Sequence, residues 1–402
     1  MDRTLLTIAV LIAKLPEALI AEADSSVHQL RMPEDRLCRS LAVAGDRLGI
    51  QIVLIDPKST SGLPAGKLAG FELRNRTWIH CTSGVPDFVY DRSFAASGQD
   101  HIRCRTALRA LADAGVQPLS SGLPGKWTVH RALLSDPLLA PLLAPTWLYR
   151  REELLKQLQR QPEGLFLKPA AGSQGRGTIR LSWNKDGSIA IEGRTRSNRP
   201  FRFLSHDETQ ILKIVDRLAG LRSYLAQPYL PLTDEQGRPH DVRLLVQKDG
   251  RSRWAVTGAV CRIGAAGSIT SNLHGGGTAD DAEARLTRLY GSSKAMELLE
   301  AIRVAGLLAA RVIEQHFGKF AEFGFDFGLS PEGKLWLLEA NSKPGRQSFK
   351  LIGDEQTERL SCGRLLTYAR KLAEGRTPSR PAVTRNNHYA FFPSDYVQEV
   401  HS

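Results

Sequence analysis

Near the C-terminal end, Asp326, Glu339 and Asn341 are spaced to form a site for a hard cation. They lie in GFDFGLSPEGKLWLLEANS (324–342), where two apolar-rich stretches flank a Ser-Pro-Glu-Gly turn. With Pro331 second in a type I turn, Leu329 pairs with Lys334 and Asp326 faces Leu337. Side chains alternate along a strand, so Asp326, Glu339 and Asn341 share one face with Gly324 and Gly328. Phe323, Phe325, Phe327, Trp336 and Leu338 then take the other face and anchor it on a core. Two carboxylates so placed are costly without a cation beside them. Mg²⁺ suits such oxygens, because it takes few protein ligands and keeps positions for water and substrate phosphates. The plainer alternative is a hairpin face of ordinary surface charges, and the clean split of polar from aromatic residues argues against it. Lys343-Pro344-Gly345-Arg346 follows at once, two cations around a turn that offers to hold an anion.

Other stretches suit phosphate. AAGSQGRGT (170–178) sets glycines at 172, 175 and 177 just after Lys168, between two strand-like runs. Glycines let backbone N–H groups surround phosphate oxygens, and a strand-end lysine adds a point charge. In isolation such a loop also reads as a flexible turn. Asp241 and Arg243 lie two apart in DVRLLV (241–246), hence on one face. A two-residue turn at Asp249-Gly250 brings Arg262 to that face. Two guanidiniums facing a cleft neutralise a transferring phosphoryl group, and an Asp–Arg surface pair is the simpler reading. A further glycine run, SNLHGGGTA (271–279), carries Asn272 and His274. No GxxxxGK[ST], HExxH, Ser/His/Asp order or kinase signature set is present in the sequence.

The elements that must position these residues fall into three groups. Apolar runs at 4–13, 51–55 and 87–90, with helical segments at 33–48 and 102–114 between them, predict a small parallel α/β layer over residues 1–120. After a turn-rich break at 120–126, residues 127–143 read as a helix followed by a Pro-punctuated loop. Then come strand, glycine loop and strand, and a helix over 207–221, giving a second unit over 121–222. Two hairpins separated by a long helix (295–316) make a third over 223–375, and the Pro- and Arg-rich residues 376–402 read as an irregular tail.

Lys and Arg exceed Asp and Glu by 12, so the surface attracts anions without choosing among nucleotides, acidic peptides and nucleic acid. Nucleic acid is disfavoured, since the basic stretch 194–202 has only Phe201 and Phe203 near it and reads as a solvated edge or mobile cover. The five scattered cysteines lack metal or disulfide spacing and predict buried free thiols. The apolar start is too short to span a bilayer, so no membrane association and cytoplasmic residence are expected.

With these residues in view, the chain resembles the ATP-grasp superfamily, and within it the YheC/YheD-like branch associated with spore coats. The resemblance is carried by FVYDRS (88–93), GKWTVHRALLSDPLLAPLLAPT (125–146), LFLKPAAGSQGRGTIRL (165–181), YLAQPYL (224–230), and the blocks at 240–264, 270–279 and 324–346. It implies a pre-ATP-grasp α/β domain followed by two α+β lobes that clamp ATP. By position in the pattern, Lys126 and Lys168 contact phosphates under a lid that includes Gly172, Ser173, Gln174, Gly175 and Gly177. Gln227, Tyr229 and Leu230 form the adenine-contacting link, with Asp241 grouped among the nucleotide-binding residues. Arg243 and Arg262, with Lys343, serve as catalytic cations, and Asp326, Glu339 and Asn341 bind Mg²⁺. The activity implied is an ADP-forming ligase that joins a carboxylate to an amine or thiol through an acyl-phosphate. An amino acid or peptide is among the acceptors. A kinase acting on a small-molecule hydroxyl and a nucleotide-binding coat or surface structural protein are the alternatives. The oligomeric state is left open, a homo-oligomer included.

Overall fold

The computed structural model describes residues 5–16, 32, 34–95, 97–172, 175–265, 267–271, 273 and 276–375. Three sheets appear in chain order, each on its own stretch of sequence.

The first contains β1 (Leu6–Leu11), β2 (Ile50–Ile55), β3 (Leu68–Arg74), β4 (Thr77–Ser83), β5 (Phe88–Asp91) and β6 (Gln117–Pro118), with α1 (Asp35–Leu48) and α2 (Gly98–Asp113). Its order is β4-β3-β2-β1-β5-β6. β1 pairs in parallel with both β2 and β5, as the buried, β-branched runs predict. The antiparallel β3–β4 hairpin extends this layer and was not among the expected elements.

α3 (Lys126–Leu134) leads to the second sheet, made of β7 (Trp147–Leu148), β8 (Leu165–Pro169), β9 (Ile179–Trp183), β10 (Ile189–Arg194), β11 (Pro200–Ser205) and β12 (Tyr224–Pro228). α4 (Leu154–Gln159) and α5 (Glu208–Ala219) cover one face. Leu165, Leu167, Ile179, Leu181 and Ile191 meet Ile211 and Val215 of α5 in a separate core. The basic stretch forms the β10–β11 hairpin, and β11 is the outermost strand of its sheet, a solvated edge.

The third sheet runs β15-β14-β13-β16-β17, from β13 (His240–Lys248), β14 (Trp254–Ile263), β15 (Thr278–Asp281), β16 (Glu322–Leu329) and β17 (Leu335–Asn341). α6 (Ala282–Tyr290) and α7 (Ser292–Phe317) lie on its back. α7 buries Ala295, Leu298, Ile302, Ala305, Ala309 and Ile313, the three-to-four spacing of one helical stripe, against Phe323, Phe325 and Phe327. After α8 (Gln347–Leu351), α9 (Glu355–Glu374) sends Leu365, Leu366 and Tyr368 into the core of the first sheet beside Ile8, Val10 and Ile52.

Both C-terminal hairpins depart from their expected registers. Asp249-Gly250 is not a two-residue turn: β13 and β14 are joined by residues 249–253, and a bulge between Leu245 and Val246 resets the pairing so that Asp241 opposes Arg262. In the second hairpin Leu329 pairs with Leu335, not Lys334, and Asp326 pairs with Glu339, not Leu337. The first shift comes from a connection of five residues, 330–334, in place of a four-residue turn, and a bulge that leaves Leu338 without a partner adds the second. Leu335 and Leu337 therefore join the phenylalanine core in place of Trp336 and Leu338. Beyond the bulge Glu339 and Asn341 return to the face of Asp326 and Gly324. All five cysteines are free, four of them buried and Cys81 half-buried.

Candidate functional site

A cleft with a cavity volume of about 150 Å³ opens between the second and third sheets. One end is apolar, walled by Phe166, Tyr229, Leu230, Leu232 and Leu338. Phe166 precedes Lys168 by two residues on β8 and so shares its face, a signal the sequence held but that was not used. Gln227, at the end of β12, lines the same end and donates to Thr146 Oγ1 over 2.7 Å. Arg180 lies over the Tyr229 ring at 3.7 Å and bonds Glu192 at 3.0 Å, which fixes that wall. Aromatic and leucine side chains beside the Gln227 amide suit a purine base.

The other end is charged. Lys126, Lys168, Asp241, Arg262, Asp326 and Glu339 all line it. Lys126 opens α3, where its backbone N–H donates to Ala170 O at 3.0 Å and its Nζ lies 3.3 Å from Glu339 Oε1. Lys168 Nζ donates to Leu338 O at 3.4 Å. Burial, helped by the charge of Lys126, pushes the Lys168 ammonium down to about 8. His130, lining an adjoining cavity, is pushed down to about 4 by burial and by Lys168, so its imidazole is neutral.

Arg262 grips Asp241 with two bonds of 2.7 and 2.6 Å and reaches Asp326 at 3.0 Å. Arg243 opposes Asp326 in the ladder and holds both its oxygens, Nη2 at 3.1 Å. Burial pushes the Asp326 carboxyl up, but the two guanidiniums outweigh it and hold the group below the usual carboxylate range. Ser271 donates to Asp241 and also lines the cleft; the sequence reading singled out its neighbours Asn272 and His274, which lie outside the described residues.

Of the glycine loop, Gly172, Gly175 and Gly177 all have positive φ, of +131°, +68° and +74°. Gly175 lines the cleft, and a Cβ on Gly177 would stand 2.9 Å from the Tyr224 hydroxyl. Ser173 and Gln174 lie outside the described residues. Asn341 sits on the face of Asp326, opposite Gly324, but does not line the cleft. Lys343 does not either: its Nζ reaches Asp91 Oδ2 at 2.7 Å and Ser93 O at 2.9 Å, in the first sheet's layer. Arg346 is buried against Glu322 and Pro344 O. The turn after Asn341 is therefore no free pair of cations, because both have partners from elsewhere in the fold.

The donors fit a magnesium ion. A carboxylate has about four lone-pair sites, and the guanidiniums use three on Asp326, while Glu339 pairs with Lys126 through Oε1. A Cβ on Gly328 would meet Leu232 at 2.4 Å, so this face has no room for larger side chains there. Among the described residues no group of three His, Cys, Asp or Glu is gathered as a metal site, so an ion here would need Asn341, water or phosphate to complete its shell. Four cationic side chains against three carboxylates (Asp241, Asp326, Glu339) leave one positive charge in excess among Lys126, Lys168, Arg243 and Arg262. That excess is too small to balance a bare triphosphate, which makes an accompanying divalent cation a natural complement.

Comparison with known proteins gives a consistent result. A family model described as YheC/D like ATP-grasp matches residues 115–372. The endospore coat-associated protein YheD of Bacillus subtilis is 29% identical over 322 residues, covering 79% of this chain and 70% of YheD. YheC of the same organism, also described as endospore coat-associated, is 26% identical over 334 residues, covering 82% and 90%. Among solved structures, D-cycloserine synthetase DcsG superposes with a TM-score of 0.50 at 15% identity, over 91% of this chain and 99% of the other.

Proposed function

Because this chain belongs to the YheC/D-like ATP-grasp family, we propose that it uses Mg-ATP to activate a carboxylate as an acyl-phosphate, releasing ADP, and that an amine then takes the acyl group and displaces inorganic phosphate. The carrying observation is the cleft itself, whose lining joins apolar side chains to Lys126, Lys168, Arg262, Asp326 and Glu339. The apolar end takes the base, and the two lysines take the phosphates as point charges. Glu339 and Asp326, with Asn341 beside them, would hold magnesium, which supplies charge neutralisation at the phosphates. Arg243 and Arg262, locked on Asp326 and Asp241, present oriented guanidinium edges to the phosphoryl group in transfer. Chemistry of this kind needs positioning and electrostatics and no protein nucleophile, in keeping with a sequence that shows no triad.

The relatives' description as coat-associated suggests a structural role for a nucleotide-binding shell, and phosphoryl transfer to a hydroxyl is a second competitor. We favour turnover because a structural domain has no need of lysines and carboxylates gathered beside apolar side chains in one cleft. Among the described residues no helix is long and apolar enough to cross a membrane, and we place the reaction in the cytoplasm, where ATP is plentiful. Products decide between these readings. The protein is incubated with ATP, Mg²⁺ and pooled amino acids and short peptides, and new species are weighed by mass spectrometry. ADP with an adduct lighter by one water supports ligation, a phosphorylated small molecule supports a kinase, and no ADP supports the structural role. Glu339→Gln is expected to cut ADP release by about 100-fold or more, and full turnover in that variant would overturn the metal assignment.

A further inference from the structure

The outer edge of a sheet is a row of unpaired N–H and C=O groups. Proteins guard such edges with charge, proline, a bulge or short length. Among the described residues every sheet edge but one is guarded in this way. β6 and β7 are two residues long, and β6 holds Pro118. β11 carries Pro200 and Arg202, and β15 carries Asp280 and Asp281. β17 is bulged and receives Lys168 Nζ at Leu338 O.

The exception is β4. Its seven residues, Thr-Trp-Ile-His-Cys-Thr-Ser, include no proline, acid, lysine or arginine. They pair with β3 from Thr77 to Ser83 without a bulge, and among the described residues no strand pairs with their outer side. The edge is also held firmly. Trp78 is buried, its Nε1 donates to Asp35 at 2.9 Å, and the Arg39 guanidinium lies 5.6 Å from its ring. His80 is exposed and meets Phe71 edge-on at 5.6 Å.

The turn between β3 and β4 fixes which backbone groups are spare. Asn75 and Arg76 both have positive φ, +48° and +66°, as a two-residue type I′ turn requires. Arg74 and Thr77 close that turn as a hydrogen-bonded pair, and bonded and non-bonded pairs alternate from there. Thr77, Ile79, Cys81 and Ser83 therefore bond to β3. Trp78, His80 and Thr82 turn their N–H and C=O groups outward, with His80 at the midpoint. A two-fold axis beside His80 would set it against the partner's His80 and Trp78 against the partner's Thr82. Every outward N–H and C=O on both strands would then be used.

Charge selects the occupant. The chain carries a net charge of +12, so two copies repel unless they meet at a neutral stretch. Self-pairing of β11 would bring Arg202 near its own copy, and self-pairing of β15 would do the same with Asp280. β4 alone escapes that cost, and its Thr77, Trp78, Ile79 and Thr82 are residues that favour cross-strand pairing.

We propose that β4 is the contact of a homodimer, pairing antiparallel with β4 of a second copy about His80, so that the two first sheets become one. The contact is independent of the nucleotide cleft, which lies between the other two sheets.

Sedimentation equilibrium of the full chain is expected to show a dimer with a Kd of about 10–100 µM, in keeping with so small a contact. His80→Pro removes the central outward N–H and no bond to β3. It should weaken the dimer by about 30-fold or more and leave the far-ultraviolet circular dichroism as it is. His80→Lys sets two ammoniums across the axis and should weaken it by about tenfold, an effect that about 0.5 M salt should reverse. His80→Cys should give a disulfide-linked dimer through the introduced thiols on mild oxidation, because the Cα atoms of a bonded pair stand about 5.5 Å apart. A chain that stays monomeric across that concentration range would overturn the proposal. So would a dimer that His80→Pro leaves intact. Slow hydrogen exchange of the Trp78, His80 and Thr82 amides in dilute monomer would mean that the chain covers its own edge, and would overturn it too. Should His80→Pro fail to fold, His80→Lys and its salt dependence carry the test.

Discussion

Two seams of the molecule use nearly the same residue types to opposite ends. At the joint between the first and third sheets, Arg92, Arg346, Glu34, Glu322, Tyr90 and Gln247 interlock, with Gln247 Nε2 donating to Glu322 Oε2 at 3.0 Å. The hydrophobic core is continuous across this joint, because α9 contributes Leu365, Leu366 and Tyr368 to it. At the cleft between the second and third sheets, each side keeps its own core. The polar ties of its lysines are long, 3.3 Å for Lys126–Glu339 and 3.4 Å for Lys168–Leu338 O. Charges whose counterions come with the chain act as mortar. Charges left spaced and partly wet wait for a counterion from outside, and the difference between the seams is the difference between a joint and a site.

The comparison can be broken at its stronger side first. Glu322→Ala leaves Arg92 and Arg346 buried without their shared carboxylate, and about 3–5 kcal/mol of stability should be lost, read from urea unfolding. A loss under about 1 kcal/mol would mean that the joint is held by apolar packing alone. At the cleft, Lys168→Met should weaken Mg-ATP binding by about 1.5–3 kcal/mol, the worth of a charged hydrogen bond, measured by calorimetry. The smallest effect sharpens the second. Since burial holds Lys168 near 8, it is charged at pH 7 and gives up its proton above that value. A triphosphate favours the ammonium, so affinity is nearly full at pH 7, is about halved at pH 8 and falls by about a further fivefold between pH 8 and 9. The slope should be absent in Lys168→Met.

The sequence made the cleft's ingredients legible and the joint's invisible. Phe323, Phe325 and Phe327 alternate with Gly324, Asp326 and Gly328, which assigns core and open faces without any structure. The glycines around 175 announce backbone that must turn through positive φ. Arg92, Glu322 and Arg346 carry no comparable signal, since Arg92 and Glu322 are 230 residues apart and pattern is a short-range code. The same blindness made Lys343 and Arg346 look like free cations. Their partners, Asp91 and Glu322, are set by how sheets pack, and periodicity within one strand says nothing of that. Turn length was misread for a related reason: Asp249-Gly250 has the composition of a tight turn, yet Asp249 instead accepts from Arg251 N and Arg253 N in a wider one.

The unpartnered Leu338 makes β17 two half-strands of opposite allegiance. Up to Leu337 the odd-numbered residues serve the interior, and from Glu339 onward they share the face of Asp326. One inserted residue thus works as a polarity switch written into the chain. Were Leu338 drawn into the regular ladder opposite Asp326, Glu339 and Asn341 would face Phe325 and Phe323 and leave the face of Asp326, whereas deleting Leu338 would keep both where they are.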